Sequence, residues 1–248
     1  MTASLAAAGE SDRIVTDRPS VSTNANTIAP GAVQIETGGG YAHTSIGGST
    51  ALQEYTIDLT LRVGVLERLE LRLDGQPLVV ARGAQDDTGN GDLALQAKWR
   101  FLDSAEGRWW PALAVLPFLR LPVSTSPHGV NVPNFGVVGI ASFSLPWKLG
   151  LDANLGVGAV AQRPSGYRAQ GAASAALSRE LGERWSTYAE VFFASAAESG
   201  ARDAAGFDAG VQFFVTRYLA LDAAGQTALA GRGPDYAFRA GLSVRFGR

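Results

Sequence analysis

The chain contains no cysteine. Disulfides and thiolate metal sites are therefore excluded, and passage through an oxidising compartment costs such a chain nothing. It also lacks any apolar run of about 18 residues, so no transmembrane helix is available and any membrane crossing falls to strands. Charge is scarce: Asp, Glu, Lys and Arg make up 18% of 248 residues, against about 25 to 35% for a soluble surface. The formal net charge of −2, with no block of like charges, lacks the basic stripe that a nucleic-acid partner requires. Histidine is limited to His43 and His128, which without cysteine make no convincing zinc site. Neither a metal nor a cofactor is expected.

What the chain does have is alternation. In Gly91–Phe101, Leu93, Leu95, Ala97, Trp99 and Phe101 are apolar, whereas Asp92, Gln96, Lys98 and Arg100 are polar. Period two puts the two sets on opposite faces of a strand, and a bilayer-crossing strand needs about 9 to 11 residues. The pattern recurs. Val33, Ile35, Thr37 and Tyr41 oppose Gln34 and Glu36; Tyr55, Ile57, Leu59, Leu61 and Val63 oppose Glu54, Asp58 and Arg62; Leu69, Leu71 and Leu73 oppose Glu70, Arg72 and Asp74. Pro111–Leu121 is apolar on both faces apart from Arg120. Further segments span Phe135–Leu145, Leu149–Ala161, Arg168–Ser178, Trp185–Ser195, Phe207–Thr216, Leu219–Leu229 and Tyr236–Phe246. Arg168–Ser178 is rich in Ala and Ser, and helix is its rival reading.

About twelve such segments predict an all-β fold, a transmembrane antiparallel up-and-down barrel over 32–248, preceded by an arm over 1–31. The arm is polar and turn-rich from Ser11 to Gly31, with Pro19 and Pro30, and is expected to be periplasmic or partly lumenal. The first ten residues have no basic n-region and too short an apolar core for a signal peptide; their Ala-rich run reads as the remnant around a cleavage site. Links alternate between short and long, as periplasmic turns and extracellular loops do. A tight turn is expected near Gly64, a long polar loop over Gly75–Asn90, a bulge or curvature at Gly38-Gly39-Gly40, and a Pro-stiffened constriction in Pro122–Pro133. The alternative is a soluble barrel with the apolar set inside.

Two features favour the inverted arrangement. Tyr41, Tyr55, Trp99, Trp185, Tyr236, Phe238 and Phe246 lie on the apolar parity toward segment ends, where interfacial girdles belong. Inversion then places a mixed-sign charge network in the lumen: Glu36, Glu54, Asp58, Arg62, Glu70, Arg72, Asp74, Asp92, Lys98, Arg100, Asp152, Asp208, Asp222, Arg239 and Arg245. Opposite signs on neighbouring strands offset the cost of burial. Phe118, Arg120, Tyr188, Glu190, Phe192 and Phe214 share that parity, and they are the candidate substrate path, either as a sliding surface for an apolar solute or as filler. Asp17 and Arg18 are the candidate arm residues. No catalytic residue is expected: Ser124 and Ser126 flank His128, but no G-x-S-x-G elbow surrounds them, and no helix follows Gly38-Gly39-Gly40 as a phosphate loop requires.

Thr16-Asp17-Arg18-Pro19, with Pro30-Gly31-Ala32-Val33-Gln34-Ile35-Glu36-Thr37-Gly38, resembles the start of a family of bacterial outer-membrane barrels named for the MetA pathway of phenol degradation. Gly91-Asp92, Leu221-Asp222-Ala223, and Pro234-Asp235-Tyr236 leading to Gly241-Leu242-Ser243-Val244-Arg245-Phe246 are similar to later parts of it. The resemblance implies an outer-membrane channel or transporter passing aromatic or other hydrophobic small molecules, and no enzyme. Such barrels commonly finish on an aromatic, whereas here Gly247-Arg248 follow Phe246. The expected partners are lipid bilayer or detergent and a small hydrophobic or aromatic solute, with a monomer favoured and a location in the bacterial outer membrane. Two other classes stand beside this: an outer-membrane barrel enzyme acting on lipid or peptide, and a closed structural or binding barrel.

Overall fold

A computed structural model describes residues 13–47, 50–104, 110–125, 132–162, 166–197 and 200–247. The strands are β1 (Val33–Gly47), β2 (Thr50–Leu66), β3 (Leu69–Arg82), β4 (Asp87–Gly89), β5 (Leu93–Leu102), β6 (Ala112–Leu121), β7 (Asn134–Leu145), β8 (Leu149–Ala161), β9 (Tyr167–Leu181), β10 (Trp185–Ala194), β11 (Ala204–Phe214), β12 (Leu219–Gly231) and β13 (Tyr236–Phe246). Each long strand pairs antiparallel with the next, and β13 closes onto β1 from Phe246 against Val33 to Tyr236 against His43. β4 is a short addition alongside β3, so the closed wall has twelve staves. Closure leaves no long edge with unpaired N–H and C=O groups, the one way a sheet is stable in lipid.

Burial is inverted relative to a soluble barrel. Leu71, Leu95, Leu155 and Val191 on the outside are 45% to 72% exposed, while Glu36, Arg62, Glu70 and Lys98 inside are at most 1% exposed. A continuous apolar exterior of this kind has no place in water, and the soluble reading fails on it. Aromatic pairs ring both ends. Trp99 meets Phe101 at 5.8 Å and Trp185 meets Phe213 at 4.7 Å at the end where β1 starts and β13 finishes, here the proximal end. Tyr41 with Tyr55 at 5.1 Å and Phe135 with Tyr167 at 5.5 Å mark the distal end. His43 stacks on Tyr236 at 5.0 Å within that distal girdle. Protein of this design is expected to need detergent for solubility and to migrate faster unboiled than boiled on a denaturing gel. Solubility in plain buffer with a single band would contradict the inverted barrel.

Several expectations are corrected. The stretch 75–90 is not a long loop: β3 continues through Leu78, Val79 and Val80 to Arg82, and β4 folds back on it. The β2–β3 turn is Glu67-Arg68, while Gly64 lies inside β2; its missing side chain is explained by the arm, since a Cβ there would stand 2.0 Å from the Ala29 carbonyl oxygen. Gly38-Gly39-Gly40 pairs without a break against Gly241, Ala240 and Arg239, so no bulge forms there. The strand expected over Arg168–Ser178 is present, within Tyr167–Leu181, and the rival helix does not form because both neighbours, β8 and β10, supply ladders for it. Within Pro122–Pro133, residues 126–131, including His128, lie outside the described residues.

Candidate functional site in the lumen

The barrel axis is occupied by the arm. It enters at the proximal end, where the Ile14 N–H donates to the Arg217 carbonyl at 2.7 Å and Arg13 lies 3.9 Å over the Phe214 ring. Ile14 packs against Phe214 and Ala220. The chain climbs to Arg18, turns through Val21 and Ser22, and descends to β1, where Gly31 and Ala32 exchange backbone hydrogen bonds with Gly64.

Asp17 is the centre of the ascending limb. Its Oδ2 receives Arg72 Nη1 at 2.6 Å and Lys98 Nζ at 3.1 Å, with Arg62 Nη1 at 3.5 Å. Its Oδ1 receives the Asn24 backbone N–H at 3.1 Å and side chain at 2.7 Å, which ties the two limbs together. Glu36 and Glu70 complete the cluster, receiving Arg62 at 2.9 Å each. Three wall cations thus face two wall carboxylates and one from the arm. Buried ions are costly unless paired, so the arm's carboxylate completes the charge balance of the wall.

Arg18 points the opposite way. Its guanidinium donates to Asp222 at 3.2 and 3.3 Å and stands 3.9 Å from Asp58. It lies flat on Gly38 and its ladder partner Gly241; a Cβ at Gly38 would fall 2.1 Å from Nη2. The arm's backbone is held by wall carboxylates and amides. Glu36 receives the N–H of Asp17 and Arg18 at 3.2 and 3.1 Å, Glu70 that of Ile28 at 2.9 Å, and Glu190 those of Val21 and Ser22 at 2.7 and 2.6 Å. The Ser22 hydroxyl also donates to Glu190. Asn154 clamps Thr23 by its N–H and carbonyl at 2.8 and 2.9 Å.

The inward aromatics lie against the wall. The Phe118 ring covers Gly136 and Gly158, Phe192 covers Gly206, and Tyr188 covers Gly210 while its hydroxyl meets Asp208. Phe214 is covered by Arg13 and Ile14. Arg239 pairs with Asp208, and the Ser142 hydroxyl donates to Asp152. Arg100 meets Asp103 at 3.0 Å and Arg245 stands 5.4 Å over the Tyr218 ring, which places both at the proximal rim. Sequence reasoning passed over the neutral polar residues that grip the arm: Gln34, Ser142, Asn154 and Gln212. All lie on the polar parity of their strands; weighing that parity by hydrogen-bonding capacity instead of charge would have found them.

Above the arm the lumen opens into a polar cavity of about 510 Å³, lined by Glu54, Asp58, Thr60, Asp74, Asp92, Gln96 and Arg120 among others. Outside, an apolar groove of about 350 Å³ is lined by Ile35, Leu59, Leu61, Leu73, Leu93 and Val123. The two share Leu59, Gly75, Gln76, Gly91 and Asp92 as a common wall. Along that wall the β3–β5 register ends at Gly75 against Leu93, the Gly91 N–H still donates to the Gln76 carbonyl at 2.8 Å, and Pro77 has no N–H to add a further bond. Beyond the lumen, the Ser45 hydroxyl and backbone N–H donate to Asp235 at 2.6 and 2.9 Å and hold its carboxyl below the usual range. No cluster of His, Cys, Asp and Glu suited to a metal occurs among the described residues.

No curated protein matches the chain. Among solved structures, the COG4313 outer membrane channel from Pseudomonas putida F1 superposes with a TM-score of 0.74 at 16% identity, covering 89% of this chain and 97% of that one. The NanC porin gives 0.60 at 9% identity, covering 85% and 98%. The translocator domain of the autotransporter NalP from Neisseria meningitidis gives 0.54 at 13%, covering 88% and 90%. At such identities the likeness is one of fold, that of outer-membrane barrels. The sequence itself carries the family: residues 16–246 match the one described as "Putative MetA-pathway of phenol degradation", from the Thr16-Asp17-Arg18-Pro19 segment that plugs the lumen to the last strand, and the chain belongs to that family.

Proposed function

We propose that this protein is an outer-membrane channel for small hydrophobic or aromatic molecules, without covalent chemistry, held closed by its own arm. The observation that carries the reading is the division of the lumen: a distal cavity of about 510 Å³ stands open above an arm that fills the proximal half. The apolar groove against the same wall supports an apolar solute, since leucine and isoleucine side chains hold such a molecule at the edge of the polar cavity. The family description and the channel and porin among the similar structures support the same class. On this reading the proximal end is periplasmic, and Glu190, Tyr188 and Phe192 of β10 line the step that the arm blocks.

The test is ion conductance in planar bilayers and solute-driven swelling of liposomes, with the full chain and with a variant lacking residues 13–25. The full chain is expected to show low or rare conductance and the shortened one a steady, larger conductance. A shortened barrel that stays folded, by its heat-dependent gel shift, yet passes neither ions nor solute would overturn the channel reading in favour of a closed structural barrel.

A further inference from the structure

The lumen is not evenly charged. Around the distal cavity stand four carboxylates, Glu54, Asp58, Asp74 and Asp92, against Arg120 in its lining, with Arg18 of the arm 3.9 Å from Asp58 and Arg72 3.8 Å from Asp74. Deeper in, Glu190, Asp208 and Asp222 face the axis from β10, β11 and β12, with Arg239 of β13 the cation beside them. Glu190 is particular among these: it is 1% exposed, and every hydrogen bond its carboxylate receives among the described residues comes from the arm. Arg18 of the arm is likewise what Asp222 holds. When the arm leaves, both carboxylates lose the donors it supplies. The cations Arg62, Arg72 and Lys98 keep Glu36 and Glu70 of the wall, and Arg72 keeps Asp74 at 3.8 Å, so most of their charge stays paired when Asp17 goes.

We propose that this channel selects its solutes by charge, admitting neutral and cationic aromatic molecules and rejecting anionic ones. The proposal rests on the channel reading and narrows it. A carboxylate-lined cleft with low-dielectric walls focuses its field and raises the local concentration of cations while lowering that of anions. The distal cavity is where a solute first meets the lumen, so the selection acts at entry. The arm supports the same sign from inside: the group it places between Asp222 and Asp58 is a guanidinium, and the donors it offers Glu190 are N–H and O–H. An occupant that replaces the arm meets the same acceptors, which an ammonium or a neutral hydroxyl satisfies and a carboxylate does not.

The test is the reversal potential of the full-length protein in planar bilayers, which does not depend on how often the channel opens. Under a tenfold KCl gradient the potassium-to-chloride permeability ratio is expected to be about five or more at low ionic strength, falling in strong salt as charges are screened. Benzyltrimethylammonium is expected to be favoured over benzenesulfonate by a similar factor in bi-ionic recordings. The variant Glu54→Gln, Asp74→Asn, Asp92→Asn keeps the shape of each side chain and leaves the Asp58 contact to Arg18 in place; its ratio is expected to fall toward one. A ratio of one or below in the unaltered protein, or no change in the triple variant, overturns the proposal while leaving the channel reading standing. Absence of conductance both in the full chain and after removal of residues 13–25 sinks the channel reading and this proposal with it.

Discussion

Replacing Asp17 with alanine is expected to raise the open probability of single channels by roughly two orders of magnitude. The carboxylate touches Arg72, Lys98 and Arg62, and those three cations otherwise have the buried Glu36 and Glu70, with Asp74 standing off at 3.8 Å from Arg72, to balance them. Removing one partner from a buried ion cluster costs about 3 to 5 kcal/mol. That cost falls on the arm-docked state, since with the arm out water reaches the cations and solvates them. A differential of about 2.8 kcal/mol is a hundredfold shift in the closed-to-open ratio. Asp17→Asn retains the hydrogen bond to Asn24 in shape while losing the charge, and should fall between. Pairing Asp17→Ala with Lys98→Met, which removes one surplus cation, should restore part of the closure; such coupling is what residues in one network show. Gating unchanged in Asp17→Ala would mean that the arm is held elsewhere.

A second large effect lies on the opposite face of the wall. Leu155, in the middle of β8, is 72% exposed and points outward, while its neighbour Asn154 points inward and clamps Thr23 of the arm. Leu155→Arg is expected to destabilise the folded barrel in liposomes by about 2 to 4 kcal/mol, the cost of an arginine near the bilayer midplane, read from urea unfolding. Asn154→Ala should leave the unfolding midpoint nearly unchanged and instead speed hydrogen exchange at the Thr23 amide, because it removes arm contacts and no lipid contact. Equal stability losses at the two positions would contradict the assignment of faces.

Much of this was legible in the sequence. Alternation put Trp99 and Phe101 outside and Lys98 inside without any knowledge of neighbouring strands, because side-chain direction in a strand is set locally by the pleat. Strand number followed from counting alternating segments. The boundaries that went astray, at Gly64 and across 75–90, lie where glycine and proline carry turn signals but the ladder continues. Their neighbours in the sheet or the arm decide the outcome there, and a local signal cannot report that.

The arm shows where sequence reading stops. Its composition determined that residues 13–31 are neither helix nor strand, and its place before the first strand made the lumen a candidate home. Only the tertiary structure decided that Asp17 and Arg18, adjacent in the chain, divide between opposite walls. The first joins Arg62, Arg72 and Lys98; the second joins Asp222, which lies 204 residues away. The same holds for Gly38 and Gly241, whose small size in the sequence is unexplained until barrel closure sets them side by side under the Arg18 guanidinium. Period and parity are local properties of one strand and can be read from it. Charge pairing and close approach across the lumen depend on which strands closure brings face to face, and that requires the whole sheet.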